Sequence, residues 1–152
     1  MHSREKRSGP VSDVAPRAPA DRVLVVEDDR DARELLVLQL ETEGFAASAA
    51  ATAGEALTVL EREVFDVVAI DLWLDDRLDG LDLARHLREH PQTRRMGLVA
   101  MSGHVEPEWP IVQPFDAYLR KPIDVDLLAD LIARLADLRR APRTGLTGTG
   151  GR

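Results

Sequence analysis

The chain has 152 residues, 44% of them hydrophobic, which predicts one folded domain with a sizeable core. Its formal charge of −7 argues against broad contact with nucleic acid phosphates, because such contact needs basic patches. There is no cysteine, which excludes disulfides and thiolate zinc sites, and no apolar run approaches the ~18 residues of a membrane helix.

The two ends of the chain differ in composition from its middle. Residues 1–20 carry three prolines among Ser, Arg and Ala, and residues 141–152 are rich in Gly and Thr. We therefore expect flexible tails at 1–20 and 141–152 and a folded domain at 21–140. The opening residues lack the apolar stretch of a secretory signal, so we expect a cytoplasmic protein without a membrane or nucleic acid partner.

Strand-like and helix-like patterns alternate through the folded part. The strand candidates are RVLVV (22–26), FAASAA (45–50), VFDVVAI (64–70), GLVAMS (97–102) and AYLR (117–120). Helical spacing of apolar residues follows the first, second, third and fifth of these segments.

Each predicted helix has a start or stop signal. Gly44 ends the first, Thr52 and Glu55 form a capping-box pattern for the second, Pro91 ends the third (81–90), and Asp124 caps the last. The residues predicted to form apolar faces are Ala32, Leu35, Leu36 and Leu40 in the first helix, Ala53, Ala56, Leu57 and Leu60 in the second, and Leu127, Leu128, Leu131, Ile132, Leu135 and Leu138 in the last.

Five strand–helix units in succession predict an α/β fold with a doubly wound, five-stranded parallel sheet. Continuous apolar strands predict burial on both faces, and the flavodoxin-like order 2-1-3-4-5 is expected. Pro107, Pro110 and Pro114 predict that a helix between the fourth and fifth strands, within 103–115, is short, broken or absent.

Polar side chains follow four of the five predicted strands. They are Glu27, Asp28 and Asp29 after the first, Asp71 after the third, Ser102 as the last residue of the fourth and Lys121 after the fifth. Because the carboxyl ends of neighbouring parallel strands meet at one edge, we expect these groups to converge there, with Asp29 capping the next helix.

This set of groups favours phosphoryl transfer onto a carboxylate. Three close carboxylates repel one another unless a cation such as Mg²⁺ binds them, and a lysine and a hydroxyl suit phosphate oxygens. Asp71 is the best candidate nucleophile because it directly ends a buried strand. In DLWLDDRLDG (71–80) we interpret Asp75, Asp76 and Asp79 as solvated loop residues. The spacing excludes a calcium loop of the EF-hand type.

The motifs VLVVEDD, FDVVAIDLWLDDRLDGLDLARHL, LVAMSG and AYLRKPID, taken together, resemble a two-component response regulator receiver domain of the single-domain, chemotaxis-regulator-like kind. The resemblance covers nearly all of 21–140. It implies that Asp71 is the phosphoacceptor and that Mg²⁺ is bound by Asp71, by Asp28, by Glu27 through water and by the backbone carbonyl of Trp73.

The resemblance also implies roles on the other strands. Ser102 would hydrogen-bond the phosphoryl group, Lys121 would pair with it, Tyr118 would act as an aromatic switch, and the bond before Pro122 would be cis. The implied donor is a histidine kinase or histidine phosphotransfer protein. We expect an acceptor that takes part in its own phosphorylation and dephosphorylation rather than an enzyme. The twelve residues after 140 leave no room for an effector domain, so we expect output through an unidentified downstream protein.

Some features depart from the family pattern. Glu27 stands where an aspartate is usual, and the loop after Asp71 lacks the usual proline and is one residue longer. Glu27 and the predicted lack of a regular fourth helix leave open an alternative, a phosphorylation-independent pseudo-receiver that serves as a protein-interaction module. Tyr118 fits a packing role equally well, and we expect no metal site among His2, His86, His90 and His104.

Overall fold

The computed structural model describes residues 19–75, 77, 79–103 and 113–141. The predictions for nearly all of both tails, for Asp76 and for most of the 103–115 segment therefore lie outside the described residues. Between Gly103 and Gln113 the structure describes no residue, so the prediction of a short or broken helix there stays a prediction.

Five strands and four helices make up the described part of the fold. In chain order they are β1 (Arg22–Val26), α1 (Arg30–Thr42), β2 (Ala46–Ala50), α2 (Ala53–Arg62), β3 (Val67–Asp71), α3 (Asp79–Glu89), β4 (Gly97–Ser102), β5 (Ala117–Arg120) and α4 (Val125–Arg140). The strands are parallel and lie in the order β2-β1-β3-β4-β5. The predicted doubly wound α/β fold is therefore confirmed.

The core has two layers, one on each face of the sheet. Val23, Val25 and Val67 point to the layer that α1 and α4 cover, and Leu24 and Val68 point to the layer that α2 and α3 cover. Every residue of β3 and β4 is buried, as continuous apolar strands predict for the centre of a parallel sheet. The strand ends at the site are thus held by packing on both sides.

The helix caps agree with the sequence signals. The carboxylate of Asp29 accepts a hydrogen bond from the backbone N–H of Ala32 at 2.8 Å, and Asp124 and Thr52 cap α4 and α2 in the same way. Glu55 closes its capping box on the N–H of Ala51 (2.8 Å), one residue before the cap. Gly44 has φ +98°, the left-handed conformation expected just after a helix end.

The starts of β3 and α3 differ from prediction. The 64–70 segment enters the sheet only at Val67, because the Asp66 carboxylate accepts a hydrogen bond from the N–H of Arg22 (2.8 Å) and Val64 is exposed. The third helix begins at Asp79, two residues earlier than predicted. Asp71 is the last residue of β3, as the prediction for the site requires.

Several leucines predicted on buried faces are exposed, so that prediction was wrong for them. They are Leu35, Leu127 and Leu138, with 56%, 47% and 70% of their surface accessible, and Ala32 is exposed as well. The helices touch the sheet through stripes spaced by four residues, such as Leu36 and Leu40 in α1. The exposed leucines lie beside those stripes. Among the described residues, no helix has the length and apolarity needed to cross a bilayer.

Candidate functional site

Three carboxylates meet at the carboxyl ends of β1 and β3. Glu27, Asp28 and Asp71 each offer an oxygen, and these oxygens lie within 4.8 Å of one another. The two strands are adjacent, with Val26 beside Ile70, which brings the next residues of both chains together. Glu27 and Asp71 are buried, whereas Asp28 is exposed.

Lys121 joins this acidic group from the end of β5. Its Nζ donates hydrogen bonds to Oε2 of Glu27 at 2.8 Å and to Oδ2 of Asp71 at 2.9 Å. Its backbone N–H donates to the carbonyl of Ser102 (2.8 Å), the last residue of β4. Ser102 is only 1% exposed, so its hydroxyl is confined to this edge of the sheet. The structure therefore brings together the groups that the sequence places after four strands. The Lys121–Pro122 bond is cis, as the resemblance implies.

The electrostatics reflect three acids around one base. Burial raises the pKa of Glu27 to about 7, and the neighbouring Asp71 adds to the rise while the hydrogen bond from Lys121 offsets part of it. For Lys121, burial alone lowers the pKa, but the hydrogen bonds to Glu27 and Asp71 outweigh it and raise the pKa overall. The ammonium thus stays charged, and one more cation would relieve the remaining repulsion among the acids.

Backbone amides of the loop after β3 bind two of the carboxylates. The N–H of Trp73 donates to Oδ1 of Asp71 at 3.0 Å, and the N–H of Asp75 donates to Oδ2 of Asp28 at 2.9 Å. These contacts place the loop directly beside the acidic group. The role of the Trp73 carbonyl as a metal ligand stays a prediction.

The same loop makes a tight turn that the sequence did not reveal. Leu74 and Arg77 exchange backbone hydrogen bonds of 2.9 and 3.0 Å, and Asp75 between them has φ +51°. Leu74 is 2% exposed and packs in the core under α2 and α3. Asp75 is exposed, which agrees with a solvated loop, but its backbone amide has a specific partner in Asp28. Asp79 is half-buried at the start of α3.

Two further residues support the site and were missed from the sequence. Nη1 of Arg33 donates to the carbonyls of Glu27 (3.0 Å) and Asp28 (3.2 Å). A Cβ added at Gly80 would lie 2.1 Å from the carbonyl oxygen of Asp71, so this position has no room for a side chain. No short motif signals these contacts, because they depend on where α1 and α3 pack.

The two aromatic candidates lie at the edges of the site. Tyr118 pairs with Ala100 across β4 and β5 and is partly buried against the core layer under α2 and α3. Trp73 is 38% exposed. The switch role of Tyr118 stays a prediction, and its packing role is visible.

The donor set fits magnesium. Mg²⁺ prefers oxygen ligands and is bound in proteins by one or two carboxylates together with waters and phosphate oxygens. Glu27, Asp28 and Asp71 supply carboxylate oxygens only, and the exposed position of Asp28 leaves one side of the group open to solvent. A soft transition metal finds no imidazole or thiolate among these three ligands.

The parallel sheet in this order carries three acids, a hydroxyl and a lysine at its carboxyl edge, and these groups suit a divalent cation and phosphate oxygens. Residues 23–133 match the response regulator receiver domain family. The chain therefore belongs to this family, whose role is that of the phosphoacceptor in two-component systems.

Individual relatives agree with that assignment. An uncharacterized 14.6 kDa protein of Leptolyngbya boryana is 35% identical over 67% of this chain and 79% of its own length. A sensor protein from Polaromonas sp. JS666 is 36% identical, with a TM-score of 0.73 over 80% of this chain and 99% of that one. The response regulator TrrA from Thermotoga maritima, crystallised in complex with Mg²⁺–BeF, is 25% identical, with a TM-score of 0.68 over 76% and 98%.

Other relatives are much longer than this chain. The NtrX-like response regulator of Rickettsia conorii is 28% identical over 82% of this chain, and the chain spans only 27% of its length. The similarity to such proteins is confined to one part of them.

Proposed function

We propose that the protein is a phosphorylation switch in which Asp71 accepts a phosphoryl group in the presence of Mg²⁺. The observation that carries this proposal is the contact of Asp71 with Lys121 (2.9 Å) inside a group of three carboxylates whose oxygens lie within 4.8 Å. The Mg²⁺–BeF complex of the Thermotoga relative supports the same chemistry.

The proposed step forms one bond and breaks one. A carboxylate oxygen of Asp71 attacks the phosphorus of a phosphohistidine, the new O–P bond makes an acyl phosphate, and the P–N bond breaks with its electron pair left on the imidazole. Because the transferred group carries charge on its equatorial oxygens, the site must offset that charge. Asp28 and Asp71 directly, and Glu27 through water, would hold Mg²⁺, which would supply positive charge next to these oxygens.

The remaining groups hold the phosphoryl oxygens. Lys121 already contacts Asp71, so a small movement away from Glu27 lets its ammonium pair with the new phosphate. Ser102 lies at the end of the neighbouring strand, where its hydroxyl donates to a phosphoryl oxygen in this proposal. Such an acceptor is changed by the reaction, so it acts as a signalling component rather than as an enzyme with turnover.

The proposed donor is a histidine kinase or a histidine phosphotransfer protein in the cytoplasm. A recess of about 310 Å³ lies next to Lys121, lined by Glu27, Pro122 and Ile123 on one side and by Leu35 and Leu36 on the other. Leu35 is 56% exposed at its rim. An apolar surface beside the acceptor gives a donor protein a place to bind while its imidazole reaches Asp71.

The test is phosphorylation of the purified protein by a small acyl phosphate with Mg²⁺. We expect the intact mass to rise by about 80 Da, the mass of one phosphoryl group in place of a proton. The variant Asp71→Asn should stay unmodified, while the matched control Asp82→Asn, an exposed aspartate of α3, should be modified like the native protein.

The alternative of a pseudo-receiver predicts a different result. If the native mass stays unchanged under saturating donor and Mg²⁺, the switch is excluded and the interaction module is favoured. If Asp71→Asn is modified as fully as the native protein, the assignment of the acceptor to Asp71 is wrong.

A further inference from the structure

Two histidines lie side by side at the end of α3, far from the phosphoacceptor. His86 is in the last turn of α3 and His90 follows the helix, so the two are separated by four residues, and both are exposed. Their ring centroids are 4.3 Å apart. Residues four apart on a helix face the same way, and a pair of histidines at this spacing is a common way to bind a transition metal.

The backbone around the pair is well anchored. The carbonyl of His90 accepts hydrogen bonds from the N–H groups of Thr93 (3.1 Å) and Arg94 (2.8 Å), and Oγ1 of Thr93 donates to the carbonyl of Leu87 (2.7 Å). The two imidazoles therefore project from a fixed platform. They also lie at the helix C-terminus, where the partial negative charge of the helix dipole favours a cation.

Both imidazoles open onto a groove of about 420 Å³ between α2 and α3. Its floor is apolar, formed by Leu57, Leu60 and Leu87, and its oxygen donors are the side chains of Glu61, Gln92 and Thr93. Of the residues that line this groove, Glu61 is the one with an acidic side chain. The charge and the donors of the groove thus both favour a metal cation over an anion.

Neither of the two arginines of α3, Arg85 and Arg88, lines the groove. Arg88 directs its guanidinium elsewhere, donating to the carbonyls of Pro114 and Met96 and to the carboxylate of Asp116. None of these three acceptors lines the groove.

We propose that His86 of α3 and His90, which directly follows α3, form a second cation site for a borderline transition metal such as Zn²⁺, Ni²⁺ or Cu²⁺. Glu61 of α2 lines the same groove and completes the site by turning its carboxylate toward the metal when the metal binds. Imidazole nitrogen suits these ions, whereas Mg²⁺ prefers oxygen ligands, so the two sites select different metals. The proposed third ligand, Glu61, comes from another helix, so the spacing of the histidines in the sequence does not point to it.

The two sites lie at opposite ends of α3. The first turn of this helix packs against Asp71 through Gly80, and ten residues at 1.5 Å each place His90 roughly 15 Å further along the axis. A metal held by α3 and Glu61 fastens the C-terminal end of α3 to α2. The proposal is independent of phosphorylation at Asp71, and it can be tested without it.

The experiment measures Zn²⁺ and Ni²⁺ binding by calorimetry in the full chain with excess Mg²⁺, which keeps the carboxylate site occupied. The parent protein carries His2→Ala and His104→Ala, so that His86 and His90 are its only histidines. We expect one Zn²⁺ per chain and a rise in melting temperature with Zn²⁺. His86→Gln and His90→Gln should each weaken binding by about tenfold or more, and Glu61→Gln by several-fold.

The control for folding is the melting temperature of each variant with a chelator, which should equal that of the parent because the three side chains are exposed. The proposed site is wrong if the parent does not bind Zn²⁺. It is also wrong if the affinities of His86→Gln and His90→Gln stay within about twofold of the parent's affinity. An affinity that Glu61→Gln does not change overturns the link between α2 and α3.

Discussion

Gly80 lies against the backbone of Asp71, the proposed phosphoacceptor. A Cβ at this position would be 2.1 Å from the carbonyl oxygen of Asp71 and 2.8 Å from Cα of Leu72. Both are backbone atoms of a segment that packs in the core, so they cannot turn aside as a flexible side chain could. The start of α3 can therefore approach Asp71 this closely only because residue 80 has no side chain.

We predict that Gly80→Ala destabilises the protein and impairs the site together. Overpacking of this kind costs about 1–3 kcal/mol, and the shift of Asp71 should slow its phosphorylation. The free energy of unfolding from urea titration and the rate of the mass increase with a small acyl phosphate measure the two effects.

Gly54→Ala is the matched control for this substitution. Gly54 also lies in the first turn of a helix, but a Cβ there would have Oγ1 of Thr52 at 3.9 Å as its nearest contact. Alanine should leave stability unchanged or raise it by up to about 1 kcal/mol. Equal stability of the Gly80→Ala and Gly54→Ala variants would contradict the proposed close packing.

At the scale of residues, the sequence predicts groups whose position depends on strand ends. Asp71 and Lys121 could be found because each follows a short apolar run, and parallel strands bring such ends together. The sequence could not reveal the contacts of Gly80, Arg33 and the amide of Asp75. Those contacts depend on the path of loops and on how α1 and α3 pack. Local patterns carry no information about those contacts.

Arg88 connects three elements at the other end of the sheet. Its guanidinium donates to the carbonyls of Pro114 (2.8 Å), Arg94 (2.8 Å) and Met96 (2.7 Å) and to the carboxylate of Asp116 (2.8 Å). It thereby ties α3 to the turn before β4 and to the residues that lead into β5.

We predict that Arg88→Met lowers the free energy of unfolding by about 1–3 kcal/mol, because carbonyls and a carboxylate lose a charged donor. Amide hydrogen exchange should quicken most in β5, because Arg88 holds the residues that lead into this strand. Arg85→Met serves as the control, since Arg85 is exposed on the same helix and its loss should change stability by no more than about 0.5 kcal/mol. If the two variants are equally stable, Arg88 does not anchor this edge.

At the scale of elements, strands were easier to predict than helix faces. The bounds of β1, β4 and β5 match the predicted segments residue by residue. For β1 and β4 the reason is that a buried strand needs continuous apolar side chains. Helical spacing is ambiguous when leucines are plentiful, which is why Leu127 and Leu138 were assigned to the buried face of α4. The smaller Ala129 and Ala136 lie there instead, where the helix packs close to the sheet.

For the whole molecule, the acidic group links stability to pH and to magnesium. The pKa of Glu27 rises to about 7 in the metal-free protein, chiefly through burial, against an ordinary value of 4.5. The folded state therefore holds this proton more tightly than the unfolded chain between these two pH values. This contribution to stability is complete below about pH 4.5 and is lost as the pH rises through 7.

We predict that Mg²⁺ reverses this trend. The ion needs the ionised carboxylate, so the increase in melting temperature on adding Mg²⁺ should be larger at pH 8 than at pH 6. One proton contributes at most about 1.4 kcal/mol per pH unit to this difference. The measurement is thermal unfolding across this pH range with Mg²⁺ and with a chelator.

Glu27→Gln isolates the contribution of Glu27 from those of the other acids. Glutamine stays neutral at every pH. Without metal, the unfolding free energy of this variant should therefore lack the fall between about pH 4.5 and pH 7 that Glu27 causes in the native protein. Its increase with Mg²⁺ should be smaller, because one carboxylate is gone, and should vary less between pH 6 and 8. Two results would contradict this role of Glu27. One is an increase in melting temperature with Mg²⁺ that is the same at pH 6 and pH 8 in the native protein, and the other is an equal increase in Glu27→Gln at every pH. Either result would show that Glu27 neither holds a proton near neutrality nor faces the metal.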